Sequence, residues 1–182
     1  GYAGWTAKTG SYSNSSASAP NWSWQQTHSD PTVPQDNGGK FFQIFSDPTE
    51  TDAYSNNNLT KVPAQFGCQY SSQINNWYGG ASCSQLQYTF EVSSETSLLT
   101  IYYAMVLQKP HPGDHYINPT FQIDVMAHNS SNQQMTNDLV DPCAFFEQSG
   151  DVPSSGALPA GWHNGAQGSY GDNWVYCDWQ QV

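Results

Sequence analysis

The clearest pattern in the chain is a group of three strand-like runs near its centre. The runs are LQYTFEV (86–92), LLTIYYAMVL (98–107) and TFQIDVMA (120–127). All three are rich in β-branched and aromatic residues, which favour strands. In the first run Leu86, Tyr88, Phe90 and Val92 alternate with polar residues. Because side chains alternate across a strand, we expect these four to share a core-facing side.

The other two runs predict different surroundings. In the third run Phe121, Ile123 and Val125 alternate with polar or less apolar residues, which predicts a second half-buried strand. The middle run is apolar almost throughout, which is typical of a central strand covered on both faces. Shorter strand-like runs, FFQIFS (41–46) and NWVYCDWQQV (173–182), lie nearer the ends.

Turn-forming residues separate these runs, and helical periodicity is absent from the sequence. Short strands divided by Gly-, Pro- and Asn-rich turns predict an all-β fold, a jelly-roll-like β-sandwich with long loops. The 182 residues fit one domain, 1–182. The connection over 47–80 is long and irregular, which favours a functional loop or one held by a disulfide.

The net charge of the chain limits the classes of molecule that it can bind. The chain has 4 Lys or Arg residues and 15 Asp or Glu residues, a net charge of −11. Such a surface repels phosphate backbones and anionic lipids, so we expect no nucleic-acid partner. No stretch reaches the roughly 20 apolar residues of a membrane span, so we expect no membrane insertion. Cations and neutral sugars remain compatible with this charge.

The chain contains four cysteines, at positions 68, 83, 143 and 177. None has the CxxC spacing of zinc or redox sites, so we expect two disulfides and an oxidising, extracellular location. Four cysteines allow three pairings, of which we favour Cys68–Cys83 with Cys143–Cys177 because it closes local loops. Each bond would contribute about 3 kcal/mol by restricting the unfolded chain.

Two loops carry candidate metal ligands. The loop KPHPGDHYINP holds imidazole and carboxylate groups that suit zinc or another transition metal: His111, Asp114 and His115. The stretch DPTETD holds hard oxygen ligands for which calcium is the candidate cofactor: Asp47, Glu50 and Asp52. Three potential ligands on one turn are not a metal-site signature, so we favour a solvated hairpin for the first loop, and the second lacks the ordered DxDxDG pattern of a calcium loop.

Aromatic residues in Gly-rich loops are candidates for stacking on sugars: Trp77, Tyr78, Trp162, His163 and Tyr170. Such rings also fold back onto a core, so both interpretations stay open. We find no carboxylate pair that the sequence places across a cleft and no GxSxG motif. The sequence therefore predicts a protein without catalytic activity.

Several segments together suggest a family: GWT and TGSYS near the start, FFQIFSDP, the central block from LQYTFEV to DVMAHN, and WVYCDWQQV. In these segments the chain resembles extracellular β-sandwich domains of large modular surface proteins of Bacteroidota, which are often exported by the type IX route. The resemblance implies a secreted domain for adhesion or structural assembly, such as a filament or surface layer. The alternative is a carbohydrate-binding module that uses loop aromatics.

The C-terminal run departs from this family pattern. In such domains further strands follow the segment that WVYCDWQQV resembles, whereas this sequence stops at Val182. We expect the sheet to be completed by further residues, by a downstream domain or by a strand from a neighbouring subunit. The alternative is that the domain is whole.

Overall fold

Strands make up almost all regular structure in the part of the chain that the computed structural model describes, residues 4–13, 21–28, 42–75, 82–93, 98–109, 120–126, 144–149, 158–168 and 173–182. The strands are β1 (Trp5–Ser13), β2 (Asn21–His28), β3 (Phe42–Phe45), β4 (Ser71–Ile74), β5 (Ser82–Tyr88), β6 (Tyr102–Gln108), β7 (Thr120–Val125), β8 (Ala144–Ser149), β9 (Trp162–Gln167) and β10 (Asn173–Gln181). Two short 3-10 helices, η1 (Ala53–Ser55) and η2 (Ala64–Phe66), lie between β3 and β4. The all-β class is confirmed.

The described strands form small antiparallel sheets. Two sheets have three strands, in the orders β2-β1-β5 and β6-β10-β9, and two are the pairs β3-β4 and β7-β8. The chain divides into two compact units. The first comprises Gly1–Asp52, Asn57–Tyr103 and Trp179–Val182, and the second comprises Ala53–Asn56 and Ala104–Asp178. No helix among the described residues is long and apolar enough to cross a membrane.

The core of the first unit lies on one face of sheet β2-β1-β5. Ala7 on β1 is opposite Leu86 on β5, so their side chains share this face. Ala7 is fully buried against Phe42, and Ile44 and Leu86 pack around this pair. The small Ala7 side chain leaves room for the ring of Phe42.

The predicted strand over 86–92 is only partly buried. Strand β5 ends at Tyr88, which is opposite Trp5 at the beginning of β1. Tyr88, Phe90 and Val92 are 48%, 43% and 67% exposed, so the prediction that they lie in the core is wrong. The alternation puts the residues on one face, but the apolar cover described for this face packs around Leu86.

The long connection after β3 is ordered by its own contacts. Thr51 and Thr60 form an isolated β-bridge, and the N–H of Lys61 donates to the carbonyl of Glu50 at 2.8 Å. Val62 is 1% exposed and anchors the loop to the interior of its unit. Backbone hydrogen bonds and buried side chains thus hold this loop.

The positions of β6 and β10 in their sheet differ from the prediction. The apolar middle run was expected to be a central strand, but β6 is an outer strand in the order β6-β10-β9, and Met105 is its only buried residue. The central strand is β10, in which Trp174, Val175, Tyr176 and Cys177 are all buried. The alternation in the third run is confirmed, because Phe121, Ile123 and Val125 are half-buried whereas Gln122, Asp124 and Met126 are exposed.

The last residues of the chain are paired. Val182 exchanges two backbone hydrogen bonds with Ile101, at 2.8 and 2.9 Å. The indole N–H of Trp179 donates to the carbonyl of Thr60 at 2.7 Å. Val182 is thus paired within the first unit, and completion of the sheet by other residues, a downstream domain or a neighbouring subunit stays a prediction.

The described cysteines are free thiols. Cys68 is half-buried, whereas Cys83 and Cys177 are buried. The predicted Cys68–Cys83 disulfide is therefore not formed, and the loop that contains Cys68 is held by other contacts. The Sγ atom of Cys177 accepts a hydrogen bond from the N–H of Met105 at 3.3 Å. Cys143, its predicted partner, lies outside the described residues.

Candidate functional site

Two of the five predicted sugar-stacking residues lie in described structure, at the start of β9. Trp162 is half-buried and His163 is exposed, as expected for neighbours on opposite faces of a strand. The backbone turn before β9 is closed by the N–H of Trp162, which donates to the carbonyl of Pro159 at 3.0 Å. Trp77, Tyr78 and Tyr170 lie outside the described residues.

His163 belongs to a polar cluster on the second unit, formed with Tyr176 and Asp178. His163 is opposite Tyr176 in the β9–β10 register, and Asp178 is two residues farther along β10 and so faces the same side. The imidazole stacks on the Tyr176 ring, with centroids 5.0 Å apart and an angle of 29°. Its Nε2 atom lies 2.8 Å from Oδ2 of Asp178. We call these three residues the histidine cluster.

The histidine cluster is accessible to a ligand. The side chains of His163 and Asp178 are 45% and 60% exposed, whereas Tyr176 beneath them is buried. An exposed pair of this kind contributes less than about 1 kcal/mol to stability, because water competes for both groups. The pair therefore contributes little to the stability of the fold, and both of its groups are accessible for hydrogen bonding at the surface.

A second aromatic contact lies farther along β10. The rings of Tyr54 and Trp174 pack at a tilt of 36°, with centroids 4.4 Å apart. Gly165 on β9 permits this approach, because a Cβ atom there would collide with the carbonyl oxygen of Tyr54 and lie 3.1 Å from Cβ of Trp174. The histidine cluster thus lies on a strand whose position is fixed by close backbone packing.

The carboxylates of the predicted calcium loop have other partners. Asp47 accepts hydrogen bonds from the Thr49 hydroxyl at 2.6 Å and from the Thr49 N–H at 2.8 Å, and these two bonds lower the pKa of Asp47. Glu50 pairs with Lys61 at 2.7 Å. Asp47, Glu50 and Asp52 do not gather as three ligands, and within the described ranges no group of three or more His, Cys, Asp or Glu side chains could hold a metal. The other predicted ligands, His111, Asp114 and His115, lie outside those ranges.

Lys61 also connects this loop to β3. Its ammonium group lies 4.2 Å from the centre of the Phe45 ring, a cation–π contact in addition to the ion pair with Glu50. Phe45 is buried, so the contact connects the loop to the core. The DPTETD region therefore has a structural role in the first unit.

The second candidate surface is a line of exposed apolar side chains in the first unit, which we call the exposed row: Trp5, Tyr88, Phe90 and Val92. The rings of Trp5 and Tyr88 lie 4.9 Å apart at 34°, and those of Tyr88 and Phe90 lie 6.2 Å apart at 20°. The rings therefore support one another while more than a third of each residue faces solvent.

Gly4 helps to hold the centre of the exposed row. Its φ of +83° lies in the left-handed region that favours glycine, and an added Cβ atom would approach Cε2 of Tyr88 to 2.9 Å. The Tyr88 ring thus covers the backbone at the start of β1. Sequence reasoning missed this surface because apolar alternation predicts burial.

The exposed row begins on β5 and extends past the end of this strand. Strand β5 is an outer strand, paired with β1 on one side in the order β2-β1-β5. Residues 89–92 continue the chain beyond β5 and are exposed. An outer strand presents unpaired N–H and C=O groups to solvent.

Comparisons with protein-family models, with curated proteins and with solved structures found no match to this chain. The resemblance to surface domains of Bacteroidota therefore stays a prediction. The chemical and geometric character of the two surfaces is the basis for assigning a function.

Proposed function

We propose that this chain is a non-catalytic extracellular domain that mediates adhesion or structural assembly at a cell surface. The exposed row is the observation that supports this function most strongly. Soluble monomers seldom expose contiguous apolar side chains, and such patches mark interaction sites. Tyr88, Phe90 and Val92 remain between 43% and 67% exposed.

The energetic argument favours a protein contact. Full burial of a large apolar side chain is worth about 2 kcal/mol, so covering the still-exposed half of a ring gains about 1 kcal/mol. The rings of Trp5, Tyr88 and Phe90 are already held by mutual stacking, so binding costs little further side-chain entropy. A neighbouring subunit or domain that covers the row would gain several such contributions.

For the arrangement of the sheets we infer the jelly-roll-like sandwich that the sequence predicts. Two of the strand pairs join strands that are distant in sequence, β1 with β5 and β6 with β10. Connections of this kind are typical of Greek-key and jelly-roll sandwiches. A crystal structure with two sheets packed face to face would confirm the inference, and separate unstacked sheets would contradict it.

Adhesion is tested with beads coated with the purified chain. The beads are added to cultured epithelial cells and to beads that carry the same chain, and retention is counted against albumin-coated beads. We expect retention on at least one surface and a clear loss with the double variant Phe90→Ser, Val92→Thr. Met126→Ser is the control, because Met126 is 51% exposed and lies outside the row. Retention no greater than that of albumin on both surfaces would contradict the proposal.

The histidine cluster favours a second candidate function, binding of a neutral sugar. If His163 donates Nε2–H to Asp178, its Nδ1 atom is an acceptor, and the carboxylate retains further acceptor positions. Two acceptors beside an exposed imidazole face suit a pair of neighbouring sugar hydroxyls. This site is independent of the exposed row, so one domain could hold both surfaces.

Sugar binding is measured by NMR with methyl glycosides of glucose, galactose and mannose. We expect saturable shifts of His163 and Asp178 resonances with at least one glycoside, and their loss in Asp178→Asn and His163→Ala. Gln167→Ala is the control, because Gln167 is exposed on the same strand. Absence of saturable shifts with all three glycosides would contradict this candidate function.

A further inference from the structure

We propose that the histidine cluster binds an amino sugar, a sugar that carries a primary ammonium group beside its hydroxyls, in preference to an uncharged sugar. The inference rests on sugar binding, the second candidate function, and names the class of sugar. Three features of the second unit support it: a pair of hydrogen-bond acceptors, an imidazole that is held in place, and acidic surroundings.

The polar atoms that the cluster offers to a ligand are acceptors. An ionised carboxylate can only accept hydrogen bonds, so in the 2.8 Å contact Nε2–H of His163 donates to Oδ2 of Asp178. In the neutral imidazole the other nitrogen, Nδ1, is then an acceptor as well. A carboxylate accepts several hydrogen bonds at once, and the Asp178 side chain is 60% exposed. The bond to His163 therefore leaves Asp178 able to bind a ligand donor.

A ligand that fits two acceptors has to supply donors. A sugar hydroxyl has one O–H donor together with two acceptor lone pairs, whereas an ammonium group has three donors and no acceptor. Hydrogen bonds from an ammonium group to a carboxylate are also shorter and about twice as strong as those between neutral groups. An ammonium group therefore fits the two acceptors better than a hydroxyl group does.

The imidazole of the cluster is held in place before a ligand binds. Tyr176 is buried, and the His163 ring stacks on it with centroids 5.0 Å apart. The hydrogen bond to Asp178 holds the imidazole from a second side. Because these contacts already order His163, binding costs less side-chain entropy than it would at an unsupported surface histidine. The His163 side chain is still 45% exposed, which leaves ring surface for contact with a sugar.

The surroundings of the cluster are strongly acidic. The sequence of the second unit contains eight Asp or Glu residues and a single Lys, Lys109. The backbone N–H of Lys109 donates to the carbonyl of Asn173, which is five residues from Asp178 along β10. At about 3.3 Å per residue this separation is about 16 Å, well beyond the Debye length of about 8 Å at physiological salt. Lys109 therefore compensates little of the negative potential at Asp178.

This potential ranks the classes of sugar. A uronic or sialic acid brings a second carboxylate, which the carboxylate of Asp178 repels. An uncharged sugar binds through its hydroxyls alone, whereas an amino sugar gains an exposed charge pair. Such pairs are modest in water, so we expect a preference of about fivefold for the amino sugar at low salt. Salt screens exposed charges and should remove this preference.

The preference is tested by NMR titration of the whole chain with two matched glycosides. Methyl α-glucopyranoside and its 6-amino-6-deoxy analogue differ only by an ammonium group in place of one hydroxyl. At about pH 7.5 a free imidazole is mostly neutral and an alkyl ammonium is charged. The dissociation constant of the amino analogue, read from His163 and Asp178 resonances, should be about fivefold lower at about 0.01 M salt and nearly equal at about 1 M. Equal constants at low salt would overturn the proposal.

Two variants locate the preference within the unit. Asp178→Asn removes the charge of the cluster and should make the two dissociation constants equal. Asp124→Asn is the matched control, because Asp124 is an exposed carboxylate of the same unit outside the cluster, and it should keep the preference. A preference that survives in Asp178→Asn, or that is lost equally in both variants, would overturn the assignment to the cluster.

Two further ligands separate the charge from the sugar. The N-acetylated amino analogue keeps an N–H donor without the charge and should bind no more tightly than the neutral glycoside. Ethylammonium supplies the charge without the sugar, and binding as tight as that of the amino glycoside would overturn the sugar class. Equal saturable binding of both glycosides would overturn only this inference and leave sugar binding standing. Absence of binding by either glycoside would overturn both.

Discussion

Residues 86–92 and strand β10 are both rich in apolar side chains, yet they have opposite surroundings. Strand β10 lies between β6 and β9 and buries four consecutive residues, Trp174–Cys177. The 86–92 segment lies at a sheet edge and leaves Tyr88, Phe90 and Val92 to solvent. Alternation thus tells which residues share a face, whereas the neighbouring strands decide whether that face is covered.

A matched pair of phenylalanines gives the largest expected contrast. Phe42 is 2% exposed and Phe90 is 43% exposed. Phe42→Ala should lower the free energy of unfolding by about 3–4 kcal/mol, because it leaves a cavity beside Ala7. Phe90→Ala should cost about 1 kcal/mol or less in the monomer. Urea unfolding of dilute protein measures both, and equal costs would contradict the contrast.

The central position of β10 also predicts a pH effect. Burial, the largest cause, raises the pKa of Cys177 from 9.0 to about 11. The thiol is therefore neutral in the folded protein at pH values where the unfolded chain begins to ionise. The neutral thiol contributes fully to the free energy of unfolding below pH 9. This contribution, about 3 kcal/mol in total, is lost as the pH rises from 9 to about 11.

Cys177→Val isolates this contribution, because the contributions of the other titrating groups to stability cancel when the two proteins are compared. Between pH 8 and pH 11 the free energy of unfolding of wild type should fall relative to that of the variant. A difference that stays constant over that range would contradict the raised pKa.

In native protein at pH 8, iodoacetamide should react with Cys68 before the buried Cys83 and Cys177.

Close packing next to β10 predicts a smaller loss. Gly165→Ala places a Cβ atom against the Tyr54 carbonyl and the Trp174 backbone, which should cost about 2 kcal/mol through backbone shifts. Gly67→Ala meets nothing within 4 Å but has a φ of +79°, so about 1 kcal/mol is expected. Thermal unfolding ranks the two variants, and a greater loss for Gly67→Ala would contradict the packing argument.

The smallest effect is expected at the histidine cluster. His163→Gln should change the free energy of unfolding by less than about 1 kcal/mol, because both partners of the His163–Asp178 pair are largely exposed. Urea unfolding at neutral pH tests this. A loss above about 2 kcal/mol would show that the cluster supports β9 and β10 rather than a ligand.

The sequence was sufficient for the all-β class and for the alternation in β7, because both follow from local patterns. It was insufficient for β6, whose apolar run predicts a central strand although the sheet order makes it an outer one. The free state of Cys68 and Cys83 was equally hidden, since spacing along the chain does not fix the distance between two thiols.

The histidine cluster shows a further limit of sequence reasoning. His163 was singled out as a loop aromatic, but its contacts with Tyr176 and Asp178 depend on the β9–β10 register. Nothing local marks Asp178 as its partner, fifteen residues away. The exposed row was hidden for a related reason, because its apolar pattern is the same as that of a buried strand.

Hydrogen–deuterium exchange of dilute protein tests the central claim most directly, since it measures both regions at once. Amides of Trp174–Cys177 should be protected, because β10 is the centre of its sheet. In dilute protein the amides of residues 89–92 should exchange much faster than those of Trp174–Cys177, because they lie beyond the β1–β5 pairing. Equal protection of the two segments in dilute protein would contradict the account.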